Sequence, residues 1–298
     1  MTLIRQEGPI NQHTYLIDAV HRGIPRGHAV YLLKSRDGGT CLIDAGTKDS
    51  AKIIYEKLIT LDAWPLKRII ITHSHWDHTQ GIGFLREKAA ETESPLEVFA
   101  SEKAGPFLAD QSFNIFFSTE EGPYDNIDQV LPLRDGQSIE VGRDLTIQII
   151  GTPGHMADHI SVWDENTGNI IVGDAFGMKW GDDLIVPNPN SPFWSEKDFR
   201  RSMDLLKSLE ARTICLAHFG CLSGSDAQRF PDDSLSMYER WMEILSQNSG
   251  RLEDIPFLVD LLWEKIYHHI PKEFRAQIQP GLTDAMDLAA RAYAKQHP

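Results

Sequence analysis

The sequence predicts a layered α/β fold followed by a helical C-terminal segment. Up to about residue 220, short apolar runs of strand length alternate with stretches of helical spacing. From Asp232 onwards the apolar residues recur at helical spacing and no strand signal is found. Because strands and helices that alternate along a chain pack in layers around a sheet, this pattern favours an α/β fold over a helix bundle or an all-β sandwich.

The first elements are predicted from apolar runs and the turn residues between them. Residues 29–33 and 40–43 are apolar runs on either side of the turn sequence Asp37-Gly38-Gly39, which predicts a hairpin. Residues 50–61 carry apolar side chains at helical spacing. Residues 68–72 form a β-branched run that stops at a histidine-rich segment, which indicates a buried strand leading into a loop.

Later elements follow the same rules. Apolar runs predict four more strands, at 145–150, 160–163, 170–172 and 213–216. Three C-terminal helices are predicted, at Ser234 to Ser246, Ile255 to Tyr267 and Thr283 to Ala294, with Gly250, Pro271 and Pro280 separating them. We therefore expect a catalytic domain at 1–228 and a helical cap at 229–298.

One stretch between predicted strands has two interpretations. Residues 105–125 contain Phe113, Phe116 and Phe117 among polar residues. They could form a helix with an apolar face, or an insertion that lines a substrate pocket.

Composition limits the classes of function. The chain has 298 residues, 29 Lys and Arg and 43 Asp and Glu, for a formal charge of −14. This acidity weighs against nucleic acid as the main partner, because phosphate binding relies on clustered basic residues. Apolar runs are too short to span a membrane, and the N-terminus lacks the pattern of a signal peptide. Three cysteines, Cys41, Cys215 and Cys221, are too few for a disulfide framework. We expect a soluble, cytoplasmic protein with no membrane partner.

The most informative segment is Thr72-His73-Ser74-His75-Trp76-Asp77-His78. Successive residues of an extended chain point to opposite sides, so His73 and His75 can bind one ion together. Asp77 and His78 come after the chain turns and can face a second ion. Imidazole and carboxylate ligands suit zinc, iron or manganese. The sequence therefore predicts a metal site here.

Three further ligand-type residues follow predicted strands. His155 ends the turn Gly151-Thr152-Pro153-Gly154, Asp174 follows the run 170–173, and His218 follows 213–217. Each apolar strand thus delivers one such residue to the same edge of the sheet. Three strand ends that each carry such a residue are harder to obtain by chance than one motif is.

Together these motifs resemble the metallo-β-lactamase-fold hydrolase superfamily. The H-x-H-x-D-H run, the G-x-P-G-H turn, the V-G-D strand end, the late A-H-F-G and the earlier Leu42-Ile43-Asp44-Ala45-Gly46 match its motifs in order, over about residues 28–222. The resemblance implies an αββα sandwich of two sheets with outer helices.

The resemblance also implies a role for each site residue. His73, His75 and His155 would bind one divalent ion and Asp77, His78 and His218 a second, with Asp174 bridging the two. Asp44 would orient a ligand, although a polar strand end before a turn is an equal alternative. A water molecule bridging the ions would become hydroxide near neutral pH and attack a carbonyl, with Asp77 orienting it or shuttling its proton.

Differences from particular subfamilies of this superfamily reduce the range of expected functions. Asp174 and the missing signal peptide argue against an exported β-lactamase, and no flavin domain or basic tRNA-binding arm is found. A weaker likeness, in length, in Gly154-His155-Met156-Ala157-Asp158-His159 and in the helical cap, is to quinolone-signal response thioesterases. We therefore expect an ester or thioester hydrolase of small molecules. The alternatives are a mononuclear iron dioxygenase of the persulfide type and a regulatory binding protein that keeps the metal site.

Residues close to these motifs in the sequence have simpler structural explanations. We expect His159 to make a structural hydrogen bond, Cys221 to stay outside the site, and His268 and His269 to lie on the surface of a helix. Asp158 could support a ligand or lie in a solvated turn, and the aromatic residues at 176, 180, 193 and 194 could border the pocket or pack elsewhere. The C-terminal helices could also form a homodimer interface.

Overall fold

The strands of the α/β part are short and numerous in this computed structural model, which describes residues 3–92, 94–118, 120–180 and 184–297. In chain order they are β1 (Leu3–Ile4), β2 (Gly8–Pro9), β3 (Thr14–Asp18), β4 (Ala29–Lys34), β5 (Thr40–Ile43), β6 (Arg68–Ile70), β7 (Glu97–Ser101), β8 (Val130–Leu133), β9 (Ser138–Gly142), β10 (Leu145–Gly151), β11 (Ile160–Asp164), β12 (Asn169–Ile171), β13 (Met178–Lys179), β14 (Ile185–Val186), β15 (Thr213–Cys215) and β16 (Cys221–Ser223).

These strands form two seven-stranded mixed sheets and one small hairpin. The first sheet has the order β2-β3-β4-β5-β6-β7-β8, and the second has the order β1-β16-β15-β12-β11-β10-β9. Strands β13 and β14 pair with each other and, among the described residues, with no other strand. The first sheet comes from the N-terminal half of the chain, and the second comes mainly from residues 138–223.

Helices accompany the sheets. They are α1 (Lys48–Thr60), α2 (Trp76–Thr79), α3 (Ile82–Ala90), α4 (Gly105–Ala109), α5 (Glu196–Ser208), α6 (Ser225–Gln247), α7 (Ile255–Lys265) and α8 (Lys272–Gln296), with 3₁₀ turns at Gln111–Phe116 and Ser249–Arg251. Helices α1 and α3 lie on the outer face of the first sheet, and α5 and α6 lie on that of the second. Within the described ranges, no helix combines the length and the apolar character needed to cross a bilayer.

Side-chain alternation along the strands separates three layers of core. In β4, Tyr31 and Leu33 face the second sheet and join its apolar residues in a core between the sheets, whereas Leu32 faces outward toward α1 and α3. The outer face of the second sheet packs on α5 and α6. This arrangement is the αββα sandwich that the resemblance implied, and the prediction of the fold class is confirmed.

The predicted elements of the α/β part are present with small shifts at their ends. Strands β4 and β5 form the expected antiparallel hairpin around the 37–39 turn. Helix α1 begins two residues earlier than expected, because Thr47 caps it and forms a capping box with Ser50. The described residues between 105 and 125 do not form one long helix; they include α4 and a 3₁₀ turn at Gln111–Phe116.

The C-terminal helices are longer than predicted. Helix α8 begins at Lys272 and runs through Pro280, so the expectation that Pro280 separates elements was wrong. A proline removes one backbone hydrogen bond and strains the preceding turn. Burial of Leu282, Met286 and Ala289 in a core shared with α6, α7 and β13–β14 compensates for that cost.

The first C-terminal helix also begins earlier than expected. Helix α6 starts at Ser225 and contains Pro231, so the boundary expected after residue 228 falls inside a helix. The apolar faces of α6, α7 and α8 pack on one another. Their apolar spacing is therefore explained by contacts within the chain.

Candidate metal centre

Four strands deliver ligand-type residues to one edge of the sandwich. Strand β6 of the first sheet leads to His73, and strands β10, β12 and β15 of the second sheet lead to His155, Asp174 and His218. Asp77 and His78 lie in the short helix α2 that follows His75. The structure thus brings together all seven residues singled out in the sequence, from both sheets.

The first group consists of His73, His75, His155 and Asp174, whose ligand atoms lie within 4.8 Å of one another. The Nε2 atom of His155 lies 3.0 Å from Nδ1 of His75 and 3.5 Å from Oδ2 of Asp174. Ligand bonds of about 2.0–2.1 Å place neighbouring nitrogens about 3 Å apart around one ion. The spacing therefore fits a shared cation.

The second group consists of His78, Asp174 and His218. The Nε2 atoms of His78 and His218 lie 3.7 Å and 3.3 Å from the carboxylate oxygens of Asp174. The Asp77 carboxylate lies 3.8 Å from Nε2 of His78 and 3.6 Å from Nε2 of His218. Asp174 belongs to both groups and stands between them.

Several polar atoms of the two groups lack a hydrogen-bond partner. Nε2 of His73, of His75 and of His78 and Oδ1 of Asp174 are buried without a hydrogen bond in the described part of the chain. Buried polar atoms in native proteins are normally paired. Several imidazoles and carboxylates that converge in this way fit divalent cations, because neutral imidazoles and ionised carboxylates offer lone pairs to a metal ion.

A large cavity of about 1520 Å³ opens above the two groups. Its floor includes His75, Asp77, His155, Asp174 and His218, and its walls come from the 3₁₀ turn, the β13 region and α8. The cap helices therefore contribute to the wall of the same cavity that exposes the donor groups.

Comparison with known proteins identifies the family. A family profile described as Metallo-beta-lactamase superfamily matches residues 23–218. The chain belongs to the metallo-beta-lactamase superfamily. Among curated relatives, the hydroxyacylglutathione hydrolase of Saccharophagus degradans is 25% identical over 244 residues, which are 80% of this chain and 78% of the relative. The uncharacterized protein YobT of Bacillus subtilis is 26% identical over 196 residues, which are 63% of this chain and 81% of that protein.

Solved structures agree on the fold. A metallo-beta-lactamase family protein from Thermus thermophilus, TTHA1429, has a TM-score of 0.59 at 24% identity and covers 97% of this chain and 95% of its own. The archaeal superfamily protein ST1585 from Sulfolobus tokodaii has a TM-score of 0.61 at 20% identity, with 78% and 87% covered. At these identities the likeness shows the fold alone.

In this superfamily member, Asp44 holds one histidine of the second group in place. Its Oδ2 lies 2.8 Å from Nδ1 of His78, and its carboxylate accepts hydrogen bonds from the backbone N–H and the hydroxyl of Thr72. The proton of His78 therefore sits on Nδ1 in the neutral ring, and Nε2 is left for the group. Of the two interpretations of Asp44, the orienting contact is the one observed, because the residue is buried.

Two further residues hold Asp174. The Nδ1 atom of His159 lies 2.8 Å from the hydroxyl of Thr152, and its Nε2 accepts a hydrogen bond from the backbone N–H of Asp174. Both ring nitrogens are used, which confirms the structural hydrogen bond expected of His159. Asn188 donates its side-chain amide to Oδ2 of Asp174, and its backbone oxygen lies 3.1 Å from Nδ1 of His155.

Asp158 lies beneath the histidine-rich loop. It is buried and accepts a hydrogen bond from the hydroxyl of Ser74. Burial raises its pKa to about 6, against the smaller lowering effect of Ser74. Its alternative placement in a solvated turn is therefore excluded, and it supports the loop between His73 and His75.

Burial and neighbouring charges set the protonation of the donors. Burial lowers the pKa of His73 and of His75 well below the ordinary range, so both rings are neutral. Burial also lowers the pKa of His78, but Asp44 and Asp77 outweigh it and raise that pKa to about 10. Burial raises the pKa of Asp174, yet the charges of His218 and His78 hold it well below its usual range. A cation at the second group would displace the proton on Nε2 of His78.

Other residues singled out in the sequence lie either on the cavity wall or away from the two donor groups. Trp180 lines the cavity, whereas Phe176 and Trp194 are buried in the core against α5 and α6. The Sγ atom of Cys221 lies 3.0 Å from that of Cys215, outside both donor groups, as expected. His268 and His269 are exposed, but they lie in a turn after α7 and not on the helix we expected.

Sequence reasoning missed two histidines next to the second group. The ring of His28 lies 4.8 Å from that of His78 and 5.3 Å from that of His218, and the ring of His21 lies 6.3 Å from that of His218. Hairpin geometry contains a signal for His28. It immediately precedes β4, and Asp44 follows the antiparallel partner β5, so the two must lie at the same edge of the sheet.

Proposed function

We propose that the chain is a thioester or ester hydrolase that uses two divalent metal ions, zinc, iron or manganese. The observation that carries this proposal is the position of Asp174 between two groups of histidines. A relative over 80% of the chain is named hydroxyacylglutathione hydrolase, a name that describes cleavage of a thioester. That name supports thioesters as the first substrate class to test.

The donors divide between the two ions by their position. His73, His75 and His155 would hold the first ion; Asp77, His78 and His218 would hold the second; and Asp174 would contact both. When bound, such ions lower the pKa of a water molecule and polarise the scissile carbonyl. The chain's own part is to hold these donors rigidly, through Asp44, His159 and Asn188.

Asp77 is the residue best placed to orient the nucleophile. It lies on the cavity floor between His78 and His218. Burial raises its pKa, but His78 and His218 outweigh that effect and keep the carboxylate ionised. An ionised carboxylate at the cavity surface can accept a hydrogen bond from a water molecule and so orient it.

The cavity walls favour an acyl or aryl group. Ile115, Phe116 and Phe117 form one side, and Trp180, Ile278 and Leu288 form another. Pockets of this kind combine apolar walls with a few placed polar groups. Two of the arginines that line the cavity are engaged in ion pairs, Arg22 with Glu121 and Arg291 with Asp287. In this proposal, residues 229–298 act as a cap that holds the apolar part of the substrate.

The decisive experiment combines metal analysis with a substrate screen. Purified protein is expected to contain up to two equivalents of metal and to cleave acyl-CoA or glutathione thioesters in preference to lactones and phosphodiesters. The double variant His73→Ala, His75→Ala should lose the first ion and all turnover. The matched control is His268→Ala, His269→Ala, which removes two exposed histidines.

Three results would redirect the proposal. Hydrolysis by the wild-type protein stripped of metal would refute it. One iron per chain with oxygen uptake would favour a mononuclear dioxygenase. A cellular phenotype that survives in the His73→Ala, His75→Ala variant would favour a binding protein.

A further inference from the structure

His28 is a buried histidine that the two donor groups do not account for. Its side chain is 1% exposed, and neither ring nitrogen has a hydrogen-bond partner in the part of the chain that the structure describes. A buried polar group left unpaired costs about 1–3 kcal/mol. A phenylalanine or leucine would fill the same space without that cost. A histidine at this position is therefore explained if its ring nitrogens bind a partner such as a metal ion.

The residues around His28 place it next to the second group. Its ring meets those of His78 and His218 edge to face. A ring nitrogen of His28, a carboxylate oxygen of Asp77 and a ring nitrogen of His78 all lie within 4.8 Å of one another. Ligands on opposite sides of one ion lie about 4 Å apart when bonds are about 2.1 Å, so the three atoms lie close to coordination spacing.

The backbone fixes His28 in this position. The N–H of Ala29 donates to the oxygen of Ala217, the residue before His218, across the two sheets. On its other side, the oxygen of His28 accepts the N–H of Ala19. The residue therefore enters the site between the first sheet and the loop that carries His218.

We propose that His28 is an additional ligand of the second metal ion. This inference rests on the proposed function, because it requires that the second group holds an ion. With Asp77, His78, His218 and the shared Asp174, that ion would have five protein ligands. A donor set of this size exceeds the tetrahedral preference of structural zinc and suits the higher coordination of iron or manganese.

The test measures metal binding rather than turnover. His28→Phe keeps a flat ring of similar size and removes both nitrogens. Metal-free protein is titrated with Co²⁺ against a competing chelator, and the visible absorption of bound Co²⁺ is recorded. The variant is expected to bind the first equivalent normally and to weaken the second on the order of 100-fold or more, at least the upper loss seen for supporting residues. The spectrum of the second equivalent should also change, because one nitrogen ligand is lost.

Controls separate the possible failures. His268→Phe makes the same substitution at an exposed histidine outside the donor groups and should leave both affinities unchanged. If His28→Phe does not fold, His28→Ala supplies the comparison. Two equivalents bound with wild-type affinity by either His28 variant would overturn the inference. A weaker second ion with an unchanged spectrum would overturn it as well. Wild-type protein that binds no second ion would instead refute the proposed function.

Discussion

The contact between Asp44 and His78 allows a test of how the second group is oriented. Asp44→Asn replaces one carboxylate oxygen by an amide nitrogen and keeps the shape of the side chain. Oδ1 of Asp44 accepts the backbone N–H of Thr72 at 2.8 Å, and Oδ2 lies 2.8 Å from Nδ1 of His78. If the asparagine oxygen keeps the Thr72 bond, its amide group faces His78.

The amide N–H introduced at position 44 and the Nδ1–H of His78 would then face each other as two donors, unless the proton of His78 moves to Nε2. A proton on Nε2 occupies the lone pair that the second ion needs. Loss of such a supporting partner costs roughly 10- to 100-fold in metal affinity, or about 1.4–2.8 kcal/mol. The first ion should be unaffected, because His73, His75 and His155 do not contact Asp44 in the interactions described above.

The assay is a chelator-competition titration of both sites with zinc, comparing wild type, Asp44→Asn and Asp62→Asn. Asp62 is a fully exposed aspartate and serves as the matched control. Far-ultraviolet circular dichroism of the metal-free proteins checks that each variant folds. A second-site affinity in Asp44→Asn equal to wild type would show that this carboxylate does not set the tautomer of His78.

Two other expectations concern stability and reactivity. Burial raises the pKa of Asp158 to about 6 from 3.8, so this one carboxyl contributes a loss of about 3 kcal/mol to the free energy of unfolding of the metal-free protein as the pH rises from about 4 to 6, to be read as the difference between wild type and variant. Asp158→Asn should remove that slope in urea unfolding, and an unchanged slope would count against the burial argument. Burial raises the pKa of Cys41 to about 12 and that of Cys215 well above its usual range. An aromatic disulfide reagent should therefore label no cysteine in folded protein and three in urea, whereas rapid labelling of folded protein would contradict the buried placement.

The sequence was most informative where a strand ends in a ligand-type residue. The apolar runs before His73, His155, Asp174 and His218 could be identified locally, and their order matched a known family. Parallel placement of strand ends then brings the residues to one edge. These features are local in sequence, and so they could be predicted.

Features that depend on contacts between distant segments could not be predicted. His28 is a single histidine in front of a strand, and only docking of the two sheets places it against His218. Strand β1 has two residues and exists because it pairs with β16. Helix α8 continues through Pro280 because its buried side chains outweigh a local rule that is otherwise sound.

The division of the donors between two sheets sets an order in which the site can assemble. During synthesis, the first group is complete once residue 174 has emerged, whereas the second must wait for His218 and for the hairpin of β15 and β16. That hairpin borders β1, which was made first. In the proposed two-ion site, cation capture at the second group would therefore require that the earliest and latest parts of the sandwich have joined, and a nascent chain halted before residue 218 would offer the first group alone.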